Sequence, residues 1–210
     1  MPNSHPIAEV NYKEAQALRD IHSILRDIEM LIESLNTLKF SPQNDKEENA
    51  QTRAIQQALW TTSLIAYVRC FTTGKRFGLG EDIFDGKENA VKMHRYFKNM
   101  RDKHIAHSVN PFEQTKVGLI LSPKNGEERK VEAVCVLSFS NTIDGEDGVN
   151  NLLILASMIR KKLQQMFSDQ KAEVLVIGQN LPINELYEMA DKYPYAIRAP
   201  GIDDANKPRT

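Results

Sequence analysis

The segment RDKHIAHS, residues 101–108, places one arginine, one aspartate and two histidines close together. An imidazole titrates near neutral pH, so it can take or give a proton as a general base or acid. A guanidinium is always charged, and its forked N–H groups match phosphate oxygens. These groups suit cleavage of RNA, whose 2′-OH is its own nucleophile. A base takes the 2′ proton, an acid protonates the leaving 5′ oxygen, and a cation stabilises the phosphate, without a metal or cofactor.

The spacing of these side chains sets a condition on the site. Arg101, His104 and His107 follow one another at three-residue steps, so each neighbouring pair can meet on a helix surface. Arg101 and His107 themselves lie about 120° apart around an α-helical axis. We therefore expect both to line one groove only if the helix unwinds near His107 or a second chain completes the site.

The residues around the segment are basic on a chain whose net charge is −1. Between residues 92 and 104 the cations face a single acid, Asp102, and such a patch is typical of a polyanion-binding surface. A solvated face of an amphipathic helix explains the same charges, and charge alone favours that explanation. The residues are Lys92, Arg95, Lys98, Arg101 and Lys103, of which Arg95, Lys98 and Lys103 are the candidates for binding RNA.

Three helices are predicted in the first half of the chain. The first, over about 8–39, repeats apolar residues at three- and four-residue steps, as a helical bundle requires. A polar linker with Pro42 leads to a second helix at about 48–73. Its inner stripe is predicted to be Ile55, Leu59, Ser63, Ala66 and Cys70, flanked by Trp60, Tyr67 and Phe71. A Gly-rich loop precedes the third helix, about 86–108, which must stop near Asn110 because Pro111 follows.

A β-hairpin is predicted between the third and fourth helices. KVGLIL and VEAVCVLSFS flank a segment with Asn125-Gly126, a strong hairpin signal. Val134 and Val136 lie on the second face of the second strand, so we expect part of that face to be covered by the bundle or by another subunit. The fourth helix begins near Val149 and keeps a helical period through 173–179, where a short strand was the alternative. A short helix, INELYEMADK, follows Pro182.

The fold predicted is mainly α, an antiparallel bundle of four main helices with a β-hairpin insertion at about 116–140. A single domain is expected over residues 8–193, with an N-terminal tail at 1–7 and an irregular tail at 194–210. The N-terminus has no apolar core of a signal peptide, and no apolar run is long enough for a membrane span, so we expect a cytoplasmic protein. Cys70 and Cys135 lack metal-ligand spacing and are read as small hydrophobic residues.

Residues 101–107 resemble the signature of HEPN domains. In that signature four to six positions separate an arginine from a histidine, and the first of these positions is a polar residue. Here Asp102 is the polar residue, and five positions separate Arg101 from His107. The location at the end of a third helix, with a long first helix before it and a hairpin after it, most resembles the HEPN proteins of bacterial abortive-infection systems. The resemblance covers roughly residues 8–180.

The resemblance implies a metal-independent endoribonuclease, acting as a toxin or antiviral effector. Such domains dimerise so that two motifs face one cleft. By position, Arg101 would bind the scissile phosphate and His107 would be the general acid or base. Asp102 would support that pair, and His104 would be an auxiliary candidate. An antitoxin or defence-system partner is also implied, although Val109 stands where nucleotidyltransferase-silenced HEPN toxins carry a tyrosine.

Two other functions remain open on the sequence alone. His107 and Ser108 could cap the last carbonyls of the third helix, and the chain would then be a non-catalytic module that binds RNA, a nucleotide or a protein. A purely structural dimer built from the first and fourth helices is the third hypothesis.

Overall fold

The computed structural model describes residues 5–39, 50–105, 113–125, 128–140, 144–192 and 201. Within them the chain is mainly helical, with one two-stranded antiparallel sheet. The helices are α1 (Lys13–Lys39), α2 (Ala50–Arg69), α3 (Glu88–Met100), α4 (Gly145–Gln179) and α5 (Ile183–Lys192), and the strands are β1 (Glu113–Leu121) and β2 (Val131–Ser140). A 3-10 turn, Glu81–Phe84, precedes α3, and a π turn, Arg101–Ile105, follows it.

The mainly helical class and the hairpin between the third and fourth helices are confirmed. The helical assignment of 173–179 is also confirmed, because α4 continues to Gln179. The second helix ends at Arg69, earlier than predicted, because the chain turns back so that the Leu79 N–H donates to the Cys70 carbonyl at 2.8 Å. The predicted linker around Pro42 and the predicted helix end near Asn110 lie outside the described residues.

Residues Asp20–Met166 form the larger of two compact units. Its core draws large apolar side chains from α1, α2, α3 and α4, and burying each one contributes roughly 1.5–3 kcal/mol. The predicted stripe of the second helix is buried at Ser63, Ala66 and Cys70, but Ile55 is 51% exposed. The flanking Trp60 and Tyr67 are wholly buried, so the buried face is wider than predicted and does not reach Ile55. The largest fully buried side chains are Trp60, Tyr67, Phe84, Phe97, Ile24, Ile28, Leu31, Leu35, Leu38, Leu64, Leu152 and Leu155.

Residues Met1–Arg19 and Phe167–Thr210 form the other unit. The Tyr12 hydroxyl donates to the Val174 carbonyl at 3.0 Å, which joins the N-terminal segment to the last part of α4. Among this unit's described residues, Ala15 is the one that is buried. The tail predicted after residue 193 lies outside the described residues apart from Gly201, and the bounds of the single domain stay a prediction.

The hairpin pairs β1 with β2 in antiparallel register. Opposite residues share a face, so Val117 with Val136 and Leu119 with Val134 form one aliphatic face. All four side chains are exposed, as are Ile120 and Leu137 on the other face. The expectation that the bundle of the same chain covers Val134 and Val136 was wrong, and covering by another subunit stays a prediction.

Candidate active site

The candidate catalytic segment follows directly on α3, whose position therefore decides where Arg101 lies. The buried face of α3 consists of Ala90, His94, Phe97 and Met100, at the three- and four-residue steps of an amphipathic helix. Phe97 meets the Trp60 ring edge-on, with ring centroids 6.2 Å apart. The helix is thus held against α2 by aromatic packing at Phe97, and Met100, the residue before Arg101, is also buried.

Three consecutive residues of α3 contact three different elements. His94 is buried, and its Nδ1 lies 2.9 Å from the Tyr67 hydroxyl of α2. Burial lowers the pKa of His94, because a charged imidazole loses its hydration there. A close ring contact with Phe71, at 4.2 Å between centroids, completes this environment. His94 is therefore a neutral packing residue.

Arg95 and Tyr96 supply the other two anchors. Arg95 donates to both carboxylate oxygens of Glu81, at 2.8 and 2.6 Å, which joins α3 to the 3-10 turn. The Tyr96 hydroxyl donates to Asp144 Oδ1 at 2.9 Å, just before α4. Burial and this bond raise the pKa of Tyr96 to about 12. Successive side chains project about 100° apart around a helix, so the three anchors together fix its rotation.

The helix changes form at the predicted motif. The Arg101 N–H still donates to the carbonyls of Phe97 and Lys98, but Arg101–Ile105 is a π turn. A π turn closes its hydrogen bonds between residues five apart, is rare, and frequently occurs at functional sites. The predicted helix is therefore α-helical to Met100 and a π turn over Arg101–Ile105, while its last predicted residues, 106–108, lie outside the described residues.

Arg101 and Asp102 form an ion pair within this turn. Arg101 Nη1 lies 3.0 Å from Asp102 Oδ1, and the two side chains are 36% and 42% exposed. Ion pairs with this exposure contribute about 0–1 kcal/mol. A phosphate could therefore replace Asp102 on the guanidinium at little cost, and Asp102 meanwhile orients the arginine.

The structure brings the side chains of Arg101 and Asp102 into contact. The positions of the His104 and His107 side chains stay predictions. The backbone of His104 lies in the π turn, but its side chain is not among those described. His107 lies outside the described residues. The distances from Arg101 to either imidazole therefore stay predictions.

The basic patch is partly neutralised by nearby acids. Lys92 pairs with Glu88 at 2.7 Å, Arg95 with Glu81, and Arg101 with Asp102. The five cations of the patch thus meet three carboxylates, which leaves a net charge of +2. In the part of the chain that the structure describes, Lys98 and Lys103 are exposed and pair with no acid. Of the three RNA-binding candidates, these two have no acidic partner among the described residues, whereas Arg95 is bound by both carboxylate oxygens of Glu81.

Sequence reasoning missed the contacts that hold the loop before α3. Asp27 of α1 is buried, and its carboxylate lies 2.6 Å from Arg76 Nη2 and 3.4 Å from Arg69 Nη2. Arg76 also donates to Ser23 Oγ at 2.7 Å. Arg76 therefore ties the loop to α1 and is not a free cation for RNA. A charged residue within the apolar stripe of α1 was the available signal.

Within the described ranges, no three side chains of His, Cys, Asp or Glu are grouped so that they could hold a metal ion. None of the helices described has the length and apolar character needed to cross a membrane. Comparison of the chain with protein-family models, curated proteins and solved structures found no match.

Proposed function

We propose that the chain is a HEPN-type, metal-independent endoribonuclease whose catalytic residues are Arg101 and His107. The observation that carries the proposal is the π turn at Arg101–Ile105, which coincides with the motif and follows a helix whose rotation is fixed by three contacts. Helices rarely adopt this form without a local reason, and the residues in the turn are those that RNA cleavage would use.

The proposed reaction needs only the chain's own groups and the RNA. The 2′ oxygen attacks phosphorus, its proton passes to a base, and the bond from phosphorus to the 5′ oxygen breaks as an acid protonates that oxygen. Arg101 binds the phosphate as its negative charge develops, and His107 is one of the two proton-transfer groups. Asp102 orients Arg101 through their ion pair, and His104 is an auxiliary candidate.

The proposal extends to the assembly and setting of the chain. The four main helices α1 to α4 would form the antiparallel bundle of a HEPN domain, and two chains would place their motifs at one cleft. The second chain then supplies the second acid or base. The protein would act in the cytoplasm as a toxin or abortive-infection effector with an antitoxin or defence-system partner.

The test is RNA cleavage in EDTA by the purified full chain, on structured and unstructured RNA. We expect products ending in 2′,3′-cyclic phosphate, because the 2′-OH is the nucleophile. Arg101→Ala and His107→Ala should each lower the rate at least about a hundredfold, the scale of an acid–base or phosphate-stabilising group. Arg53→Ala and His5→Ala remove the same residue types at exposed positions and should leave the rate unchanged.

Absence of cleavage by the wild-type chain on every RNA, or unchanged rates in both motif variants, contradicts the proposal. The rival is a non-catalytic RNA-, nucleotide- or protein-binding module, which is favoured by the exposed Lys98 and Lys103, since neither pairs with an acid among the described residues. Under it, Arg101→Ala weakens binding and no preparation cleaves RNA.

A further inference from the structure

The second hairpin strand has the composition of a strand from the middle of a sheet. Between Val131 and Ser140 the only charged residue is Glu132, and apolar residues occupy both alternating positions from Ala133 to Leu137. A strand that is apolar on both faces is typical of positions with a neighbouring strand on each side and cover above and below. The composition of β2 thus predicts more neighbours than β1 alone provides.

Among the residues that the structure describes, β2 is instead an edge strand. The sheet has the order β1-β2, so no described strand pairs with the other side of either strand. Val134 and Val136 are 64% and 63% exposed. Proteins usually protect such an edge with lysine, proline or a bulge. Here the sheet's irregularity lies at Ile120/Leu121, near the turn, and leaves Ala133–Ser140 in regular register.

We infer that a second copy of this chain pairs with the free edge of β2, in antiparallel orientation, to form the four-stranded sheet β1-β2-β2-β1. An edge strand recruits another strand through its backbone ladder, and a second copy presents the same edge. A two-fold axis perpendicular to the sheet makes the contact self-complementary. This contact is separate from the proposed catalysis and is formed without RNA.

Side-chain chemistry selects the register of the pairing. With Cys135 opposite its own copy, Val134 lies opposite Val136 of the second copy, and Ala133 lies opposite Leu137. Glu132 then lies opposite Ser138, so no two charges of like sign meet. Shifting the axis to Val136 would place Val134 opposite Ser138 and lose apolar pairs. The register centred on Cys135 is therefore favoured.

The charges at the hairpin tip select the antiparallel direction. Lys124, Arg129 and Lys130 line a cleft at the tip together with Leu121, Ser122 and Val131. The tip also carries Glu127 and Glu128, of which Glu128 pairs with Lys130 at 3.6 Å, so its net charge is +1. Parallel pairing would bring two tips of net charge +1 side by side, whereas antiparallel pairing places them at opposite ends of the sheet. The latter avoids repulsion between like charges.

The size of the contact predicts a weak dimer. Nine paired residues at about 3.4 Å each extend for about 30 Å, and a sheet is roughly 10 Å thick. The contact therefore covers about 300 Å² on each copy, against about 800 Å² in a standard interface. We expect a dissociation constant in the micromolar range or weaker.

The experiment is sedimentation of the full chain without RNA, from about 1 µM to several hundred µM, where association follows mass action. We expect conversion from monomer to dimer in the wild type. Val134→Lys combined with Val136→Lys places lysines opposite each other twice in the dimer and should weaken association at least tenfold. Val134→Lys combined with Val136→Glu places opposite charges there and should restore it.

Matched controls locate the contact and separate it from loss of folding. Val176→Lys changes an equally exposed valine on α4 and should leave association unchanged. Restoration by the Lys/Glu variant shows that the Lys/Lys variant fails through repulsion and not through unfolding. A wild type that stays monomeric over the whole range, or a Lys/Glu variant as weak as the Lys/Lys one, overturns the inference. A wild type that stays monomeric would also count against the two-chain active site, whereas a failed rescue by the Lys/Glu variant would leave the proposed RNA cleavage, which is measured separately, untouched.

Discussion

Replacing Asp27 with asparagine tests how the loop before α3 is held against α1. The Asp27 side chain is 10% exposed and lies 2.6 Å from Arg76 Nη2, whose side chain is 20% exposed. Asparagine keeps the shape of the side chain and removes its charge. Arg76 would then keep its bonds to Ser23 Oγ and to the Arg69 carbonyl, but its charge would lose the buried carboxylate.

The magnitude follows from the contacts that are lost. A hydrogen bond to a charged group contributes about 1.5–3 kcal/mol, and leaving a mostly buried cation unpaired raises the cost. The Arg69 contact is longer, at 3.4 Å, and Arg69 is largely exposed, so it adds less than about 0.5 kcal/mol. We expect Asp27→Asn to lower the free energy of unfolding by about 2–3 kcal/mol. For a chain of this length the melting temperature should fall by about 5–10 °C.

Urea unfolding of a double-mutant cycle measures this interaction directly. The cycle compares wild type, Asp27→Asn, Arg76→Met and the double variant, and we expect a coupling energy of about 1–2 kcal/mol. Glu88→Gln removes the carboxylate of an exposed ion pair with Lys92 and should cost less than about 0.5 kcal/mol. A loss below about 0.5 kcal/mol for Asp27→Asn, or additive single effects, would refute the reasoning.

The remaining predictions concern His94 and the basic patch. Because burial lowers the pKa of His94, the unfolded chain binds a proton at this histidine at a higher pH than the folded chain does. The free energy of unfolding should therefore fall as the pH drops through the window below about 6.5, by at most about 1.4 kcal/mol per pH unit. Urea titrations at several pH values measure how the free energy of unfolding changes with pH. His94→Gln should reduce that change, while His5→Gln, at an exposed position, should not. An equal pH dependence in the wild type and both variants would contradict the prediction. In anisotropy titrations of single-stranded RNA, Lys98→Met and Lys103→Met should each reduce the salt slope of log K by about 0.7. Arg95→Met should change that slope much less, because Glu81 already neutralises Arg95; an equal loss in all three variants would show that the ion pair opens on binding.

Regular periodicity was enough to predict most of the helical elements. The spacing of apolar residues predicted α1 and the continuation of α4 to Gln179, and Pro182 marked the start of α5. In α2 it predicted the burial of Ser63 and Ala66 but not the exposure of Ile55 or the complete burial of Trp60 and Tyr67. Periodicity records which positions are apolar. It does not record how far along a helix the core extends, or that large rings beside the stripe are buried with it.

The site was predictable in its composition but not in its geometry. Arg101 and Asp102 are neighbours in sequence, so their pairing could be anticipated. The carboxylates that hold α3 stand 14 and 48 residues away from Arg95 and Tyr96, and no local spacing indicates them. The π turn could not be predicted either, because helix propensities and residue spacing do not distinguish a π turn from a continued α-helix.

Contacts at His94, Arg95 and Tyr96 fix the rotation of α3. The direction in which Arg101 points therefore depends on how many residues separate it from these contacts. One residue inserted between Met100 and Arg101 leaves every anchor and the buried face of α3 in place. It rotates the residues after the insertion by about 100° around the helix axis and moves them by about 1.5 Å along that axis. A folded protein would then present the same motif residues in a different direction. Insertions there change the direction in which the site points without changing its composition, so the length of α3 constrains the site as strictly as the identity of its residues does.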